Sequence, residues 1–263
     1  MHPVICILGR KDTGKTGLTE KIIRDLINRK YRVASAKHTS HPLEFDEPGT
    51  DSFRFQKAGS NPVLLVSSKG SALYFSNEPS WFSTEKLEEL IGTSVDVVLL
   101  EGFSDWVRDD GKVGKIVCYT KKEQVEEYSN ILAPPILGFY SYLADEGEQF
   151  SDLMNKVYGY IEEFKSVEKI YGRLPKLDCS ECGYKNCFEM ANHIFQGKQS
   201  YNSCTVLSKS EASSVEIRIN GEKLPLKPFP AKIIKNAVIG LVSSLKQVDE
   251  KIYGNIKVSI EKG

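Results

Sequence analysis

Apolar residues in this chain follow two rhythms. Short, largely unbroken runs at Val4–Leu8, Arg32–Ala36, Val63–Ser67, Val95–Leu100, Lys115–Tyr119 and Ile136–Phe139 read as strands. Continuous rather than alternating apolar character fits a sheet covered on both faces. Between these runs the spacing turns helical. Lys15–Asn28 places Leu18, Ile22, Ile23, Leu26 and Ile27 on one face, and 50–58, 83–91 and 149–164 repeat the pattern less strongly. Strands alternating with helices predict an α/β domain with a mostly parallel sheet over residues 1–165.

Residues 166–206 break that rhythm with Gly172, Pro175 and a crowd of cysteines, and read as a small cysteine-rich module. Residues 207–263 read as a small α+β unit. There Val215, Ile217 and Ile219 alternate with polar residues and lead into Asn220-Gly221, a two-residue hairpin signal. A helix is expected near Ala231–Lys246, with apolar Ile234, Val238, Leu241, Val242 and Leu245. A last strand follows, with Ile256, Val258 and Ile260 on one face.

Composition narrows the function classes. A chain of 263 residues has room for one large domain and one or two small ones. Its 35 basic residues balance 35 acidic ones, which argues against a general binder of nucleic acid or of a membrane surface. No apolar run approaches the roughly 18 residues of a membrane span. The apolar start, Val4–Leu8, lacks a basic leader and passes straight into a glycine loop, so it reads as a first strand rather than a signal peptide. A soluble, cytoplasmic protein is expected.

That glycine loop carries the strongest chemistry. Gly9-Arg10-Lys11-Asp12-Thr13-Gly14-Lys15-Thr16 fits G-x-x-x-x-G-K-[ST], follows a strand and opens a helix that continues with Gly17. Its glycines let backbone N–H groups curl around phosphate oxygens, and the helix N-terminus adds partial positive charge. Lys15 is expected on the β- and γ-phosphates, and the Thr16 hydroxyl on Mg²⁺. Val97-Val98-Leu99-Leu100-Glu101-Gly102 supplies the complementary half, an apolar strand ending in one acid. Glu101 would ligate Mg²⁺ through water or orient an attacking water, so Lys15 and Glu101 are the candidates for any catalysis. Asp96 starts the same strand and belongs at the wrong end of the sheet. A third group, Lys37-His38-Thr39-Ser40-His41 with Asp46 and Asp51, emerges after the second strand. It could bind an anion or a metal, although Asp51 could equally cap the next helix.

Taken together, Lys37-His38-Thr39, Asp46-Glu47-Pro48-Gly49-Thr50-Asp51-Ser52, Lys57-Ala58-Gly59, Leu100-Glu101-Gly102-Phe103 and Lys115-Ile116-Val117 resemble the molybdopterin-guanine dinucleotide biosynthesis protein B family, MobB, over roughly residues 3–165. The resemblance implies a three-layer P-loop NTPase fold, GTP with Mg²⁺, and a homodimer. It further implies an accessory role, with at most slow GTPase activity, beside a separate molybdopterin nucleotidyltransferase or a molybdenum or tungsten client enzyme. On it, residues 9–17 and Gly102 hold the nucleotide, while Lys37, His38 and Asp51 lie near the γ-phosphate or the pterin partner. Arg10 could reach across a dimer to the partner's phosphates, or stand in solvent. A guanine-reading tetrad of the Asn/Thr-Lys-x-Asp kind is only approximated by Thr120-Lys121-Lys122-Glu123, so preference for GTP rests on the resemblance.

Cys179-x₂-Cys182-x₄-Cys187-x₁₆-Cys204 is the second strong motif. Four thiolates hold either Zn²⁺ or a [4Fe–4S] cluster. Three close ligands and one distant one, with Gly183 allowing close backbone approach, suit the cluster better than paired zinc turns. Leu174-Pro175 and Cys182-Gly183-Tyr184 with the following helix resemble the iron–sulfur domain of the Rnf complex B subunit and of corrinoid iron–sulfur proteins. A metal staple would help so small a module fold. Cys6 and Cys118 sit in apolar strands and read as small hydrophobes. Tyr140, Tyr142, Tyr158 and Tyr160 read as packing at the core edge. Two functions compete: a GTP-binding accessory protein of molybdenum or tungsten cofactor maturation, and a redox protein coupling nucleotide hydrolysis to electron delivery to a metal centre.

Overall fold

The computed structural model describes residues 1–39, 47–75, 84–92, 94–143, 146–210, 215–219, 222–224 and 226–243. The chain divides into two compact units, one of residues Met1–Lys165 and one from Ser166 onward.

The first unit runs β1 (Val4–Leu8), α1 (Lys15–Asn28), β2 (Val33–Lys37), α2 (Asp51–Lys57), β3 (Val63–Ser67), β4 (Gly70–Tyr74) and α3 (Thr84–Ile91). It continues with β5 (Val97–Glu101), α4 (Ser104–Val107), β6 (Val113–Tyr119), α5 (Glu123–Ile131), β7 (Ile136–Ser141) and α6 (Glu146–Tyr171), the last of which crosses into the second unit. Strands in the order β2-β5-β1-β6-β7 make one parallel sheet. Alternation along β1 sends Ile5 and Ile7 to one face. There they pack with Leu18, Ile22 and Leu26 of α1 and with Leu153, Val157 and Ile161 of α6. Val4, Cys6 and Leu8 face the other way, among Leu87 of α3, Val107 of α4 and Val117. Both faces are dry, which is why the strands carry no polar alternation. This is the three-layer α/β arrangement that the periodicity implies.

Val63–Ser67 departs from expectation. It forms a separate antiparallel hairpin with β4 rather than joining the parallel sheet. Its apolar run looks like a buried strand, yet only Val63 is buried while Leu64 and Val66 face solvent. Periodicity within a short apolar run cannot tell one case from the other. β4, α4 and α5 were not legible: Gly70-Ser71-Ala72 and Glu123–Ile131 carry too few apolar residues to announce an element. Thr50, not Asp51, caps α2, its hydroxyl accepting from Phe53 N–H.

At the N-terminal edge of the sheet Arg32 and Asp96 form a two-pronged pair, with guanidinium-to-carboxylate distances of 3.0 and 2.9 Å. Asp96 is therefore committed far from the glycine loop, as its place at the strand start requires. Lys115 is fully buried between Val113 and Val117, its Nζ donating to Asp110 O at 2.6 Å and Val113 O at 3.0 Å. Burial pulls its pKa below the ordinary lysine range. The residue pins the turn that opens β6. Tyr160 extends the same clamp through its hydroxyl to Lys112 O at 2.5 Å and Gly114 N–H at 3.1 Å. Cys6 and Cys118 lie wholly inside the core, where burial pushes both thiols up to about 12, so neither is a nucleophile.

In the second unit α7 (Cys187–Phe195), a short 3₁₀ turn (Tyr201–Ser203) and α8 (Thr205–Ser210) follow the end of α6. The hairpin β8 (Ile217–Ile219) and β9 (Glu222–Leu224) and the helix α9 (Pro228–Ser243) come next. The expected turn Asn220-Gly221 and the last strand at residues 256–260 lie outside the described residues. Among the described residues no helix is long and apolar enough to cross a membrane.

Candidate functional site

The glycine loop joins β1 to α1 at the carboxyl end of the sheet. The chain leaves β1 toward β2 on one side and leaves β6 toward β7 on the other, and such a switch opens a crevice. Two glycines are required there. Gly9 has φ +141°, and a Cβ on it would lie 2.4 Å from Cys118 O; Gly14, at φ +81°, caps α1 in the left-handed region. Thr13 Oγ1 and Lys15 Nζ both donate to Arg10 O, at 2.8 and 2.6 Å, and close the loop on itself. Arg10 holds Glu127 of α5 at 2.8 Å within the same chain.

Strand register delivers the other half. Lys37 pairs with Glu101 across β2 and β5, and Ile7 pairs with Glu101 across β1. Glu101 is 8% exposed, and its Oε1 accepts from Lys37 Nζ at 3.0 Å and from Thr16 Oγ1 at 2.9 Å. Lys37 Nζ also lies 3.3 Å from Thr16 Oγ1. Two oxygens and one ammonium thus meet at the first turn of α1. Gly102 follows with φ +87°, close enough that a Cβ would lie 2.9 Å from His38 O. His38 is ringed by Phe103 and Trp106, with centroids at 5.6 and 4.6 Å. Lys37 therefore reaches the first turn of α1, while the His38 ring packs against Phe103 and Trp106. Asp51 sits on the first turn of α2, paired with Arg54 at 3.4 Å. His41 and Asp46 lie outside the described residues.

On the far side of β1, Gln124 is buried, and its Oε1 accepts from Thr120 N–H at 2.9 Å and Lys121 N–H at 3.0 Å. The segment Thr120–Glu123 is thus held at the carboxyl end of β6, beside the loop.

The second unit gathers the cysteines. Cys187 is the first residue of α7, and Cys204 stands just before α8, its backbone carbonyl accepting from Ser208 N–H at 2.9 Å. Cys179 and Cys182 come from a tightly wound loop in which Lys176, Asp178, Ser180 and Gly183 all take positive φ. Asp178 Oδ1 accepts from Cys187 N–H at 2.6 Å, and Asn186 caps α7 through Glu189 N–H at 2.8 Å. All four thiols are free of disulfides and line one pocket, with Pro175, Leu177 and Met190 as apolar wall. Among the described residues no three His, Cys, Asp or Glu gather as a ligand set for a single metal ion. The donor set, four thiols around one apolar pocket at a helix N-terminus, fits an iron–sulfur cluster chemically.

Residues 4–134 match the family described as "MobB: Molybdopterin guanine dinucleotide synthesis protein B". That match lies wholly within the first unit. Residues 174–206 match the family described as "FeS: Putative Fe-S cluster", and they contain all four clustered cysteines. A protein of Methanocaldococcus jannaschii named "Putative molybdopterin-guanine dinucleotide biosynthesis adapter protein" is 26% identical over 98% of both chains. The Haemophilus influenzae "Molybdopterin-guanine dinucleotide biosynthesis adapter protein" is 38% identical over 38% of this chain and 57% of its own. The crystal structure of a MobB homologue from Bacillus stearothermophilus aligns at 22% identity and TM-score 0.42, over 59% of this chain and 98% of that one.

Within the first unit the sequence motifs led to the loop, to Glu101 and Lys37, which meet at Thr16, and to His38, which lies against Phe103 and Trp106. They did not lead to Glu127, Gln124 or Tyr142. The first two are ordinary polar residues of a weakly patterned helix. Tyr142, by sequence a core-edge packing residue, is 47% exposed, and its ring lies against Gly14 and Gly17.

Proposed function

We propose that the chain is a GTP-binding adapter in biosynthesis of the molybdopterin-guanine dinucleotide cofactor of molybdenum or tungsten enzymes, and that its second unit holds a [4Fe–4S] cluster. The observation that carries the reading is the meeting of Thr16 Oγ1, Glu101 Oε1 and Lys37 Nζ at the phosphate loop of a MobB domain. The Lys37 ammonium, within 3.3 Å of both oxygens, puts a cation beside the pair, which is the charge a divalent ion would supply there. The residues present fit Mg²⁺: one hydroxyl and one carboxylate, leaving other positions to phosphate and water. Bound Mg²⁺ would neutralise charge on the β- and γ-phosphates.

The chain's own residues do the rest. Backbone N–H groups of 9–17 and the N-terminus of α1 cradle the phosphates. Lys15 leaves Arg10 O for the β/γ-phosphate bridge, and Lys37 turns from Glu101 toward the terminal phosphate. Glu101 orients a water, which supports slow hydrolysis at most. Cys179, Cys182, Cys187 and Cys204 would hold the cluster, which supplies four thiolate-bound irons and a site for one-electron chemistry. Its loop is of the kind found in the Rnf B subunit and corrinoid iron–sulfur proteins. The partners are a second copy of the chain and a molybdopterin nucleotidyltransferase or its client enzyme, in the cytoplasm. The cysteine pocket supports a second reading, a redox protein whose cluster responds to nucleotide hydrolysis.

Titration calorimetry with GTP and ATP, each with and without Mg²⁺, tests the first reading. GTP is expected to bind more tightly than ATP and in a Mg²⁺-dependent way, and Lys15→Ala to lose binding with the fold intact. Unchanged affinity in Lys15→Ala sinks the site assignment. Capture of the purified nucleotidyltransferase by the GTP-loaded chain separates the adapter from the redox reading. GTP-dependent change in cluster reduction without such capture favours the latter.

A further inference from the structure

The sheet gives the phosphate loop a direction. On one side of β1, strands β5 and β2 bring Glu101 and Lys37 to Thr16. On the other side, β6 and β7 end in Thr120–Gln124 and in Tyr142-Leu143. A polyphosphate lying along the loop N–H groups puts its terminal phosphate at the acid and the ammonium. Its other end, with whatever it is esterified to, therefore points toward β6 and β7.

Tyr142 is built into that end. A Cβ on Gly14 would fall 2.7 Å from Tyr142 Cδ2, and one on Gly17 would fall 3.5 Å from Cε2 and 3.8 Å from the hydroxyl. The ring therefore runs along the first turn of α1, and the two glycines leave the room it occupies. Lys21 Nζ, one turn further along α1, stands 5.5 Å from the ring centre. The turn that carries Tyr142 is fixed: Ser141 N–H donates to Gln149 Oε1 at 3.3 Å, and Leu143 N–H to Ser141 Oγ at 3.3 Å. The tyrosine is nonetheless 47% exposed, and Leu143 beside it is 78% exposed. A rigid aromatic face, half open and positioned by its backbone beside a polar cradle, is what a planar apolar group stacks on.

We propose that Tyr142 is the platform for the nucleoside end of the ligand, its ring packing against the base or ribose while the loop holds the phosphates. The inference rests on the reading of the loop as a nucleotide site. It assigns a division of labour: Lys15, Thr16 and Glu101 sense phosphate and metal, and Tyr142 senses that a nucleoside is attached.

The test is calorimetry on the full chain with Mg²⁺ and two probes, GTP and inorganic tripolyphosphate, which shares the phosphates and lacks the nucleoside. The intact chain is expected to prefer GTP over tripolyphosphate. Tyr142→Ala is expected to weaken GTP about tenfold, the scale of a lost base–aromatic stack, and to leave tripolyphosphate unchanged. Tyr142→Phe keeps the ring and is expected to keep GTP affinity within about threefold, since stacking and not the hydroxyl carries the contact. Equal weakening of both probes in Tyr142→Ala would make the tyrosine a mere prop of the loop and overturn the proposal, as would no weakening of either. If the unaltered chain binds tripolyphosphate but gains nothing from the nucleoside, the platform is refuted with the phosphate site intact. If it binds neither probe, the nucleotide reading itself falls and takes the platform with it.

Discussion

Replacing Glu101 by Gln tests the centre of the site with the least change of shape. In the free protein Glu101 Oε1 takes two donors, Lys37 Nζ at 3.0 Å and Thr16 Oγ1 at 2.9 Å. The amide oxygen of Gln can keep the Thr16 bond. What is lost is the charge opposite Lys37, whose side chain is 59% exposed and stays largely hydrated, so the pair counts for no more than about 1 kcal/mol. Placing an amide N–H₂ in a nearly buried site adds a cost of similar size. Glu101→Gln should therefore lower stability by about 1–2 kcal/mol, or roughly 2–8 °C in Tm for a unit of this size. Its effect on the liganded protein should be different in kind. With Mg-GTP at 100 times its Kd, binding stabilises the intact protein by about 2.7 kcal/mol, or roughly 5–11 °C. If loss of the carboxylate weakens binding tenfold, the same concentration gives about 1.4 kcal/mol, roughly 3–6 °C. Thermal unfolding with and without GTP, repeated in excess EDTA, reads both quantities. A variant that keeps the full Mg-dependent rise would refute the placing of Mg²⁺ at this carboxylate.

Two further outcomes are expected. Cys187→Ala should lose iron and acid-labile sulfide while GTP affinity stays within about twofold; iron analysis and the visible spectrum read the first, calorimetry the second, and loss of both would refute the independence of the two sites. Asp96 responds to pH: the Arg32 guanidinium, with help from the Arg32 N–H, holds its carboxyl down from the ordinary 3.8 to about 2. The unfolded chain then binds more protons between those values, so the pair's stabilisation is whole above 3.8 and drains as pH falls toward 2. Denaturant midpoints measured at pH 5, 4, 3 and 2 should show the gap between the natural protein and Asp96→Asn closing over that window; a gap that stays constant would exclude the linkage.

The sequence by itself determined more of this protein than its modest hydrophobic patterning suggests. The strand–glycine–helix order of residues 4–28 was enough for a phosphate loop, because only that context lets consecutive N–H groups point at one anion. An apolar run ending in Glu101 was enough to point to a carboxylate beside that loop, and Glu101 accepts from Thr16 there. Cysteine spacing marked the second site, because thiol ligands must be close along the chain where a module has little core to bring them together.

Tertiary structure decided what depends on register, exposure and the meeting of distant segments. Lys37 and Glu101 are paired by the β2–β5 register, which no local pattern encodes. The apolar stretch Val63–Ser67 belongs to a hairpin with solvent on one face, since hydrophobicity records what a residue prefers and not what the fold provides for it. Asp51 faces Arg54, and Arg10 faces Glu127, pairings made with neighbours a turn or a hundred residues away. Tyr142 is the sharpest case. Along the chain it is one of several tyrosines after an apolar strand; in the fold it stands against Gly14 and Gly17, because β7 ends beside the helix that β1 begins. Contact between residues so far apart in sequence is set by packing of the whole sheet, and only the folded chain contains it.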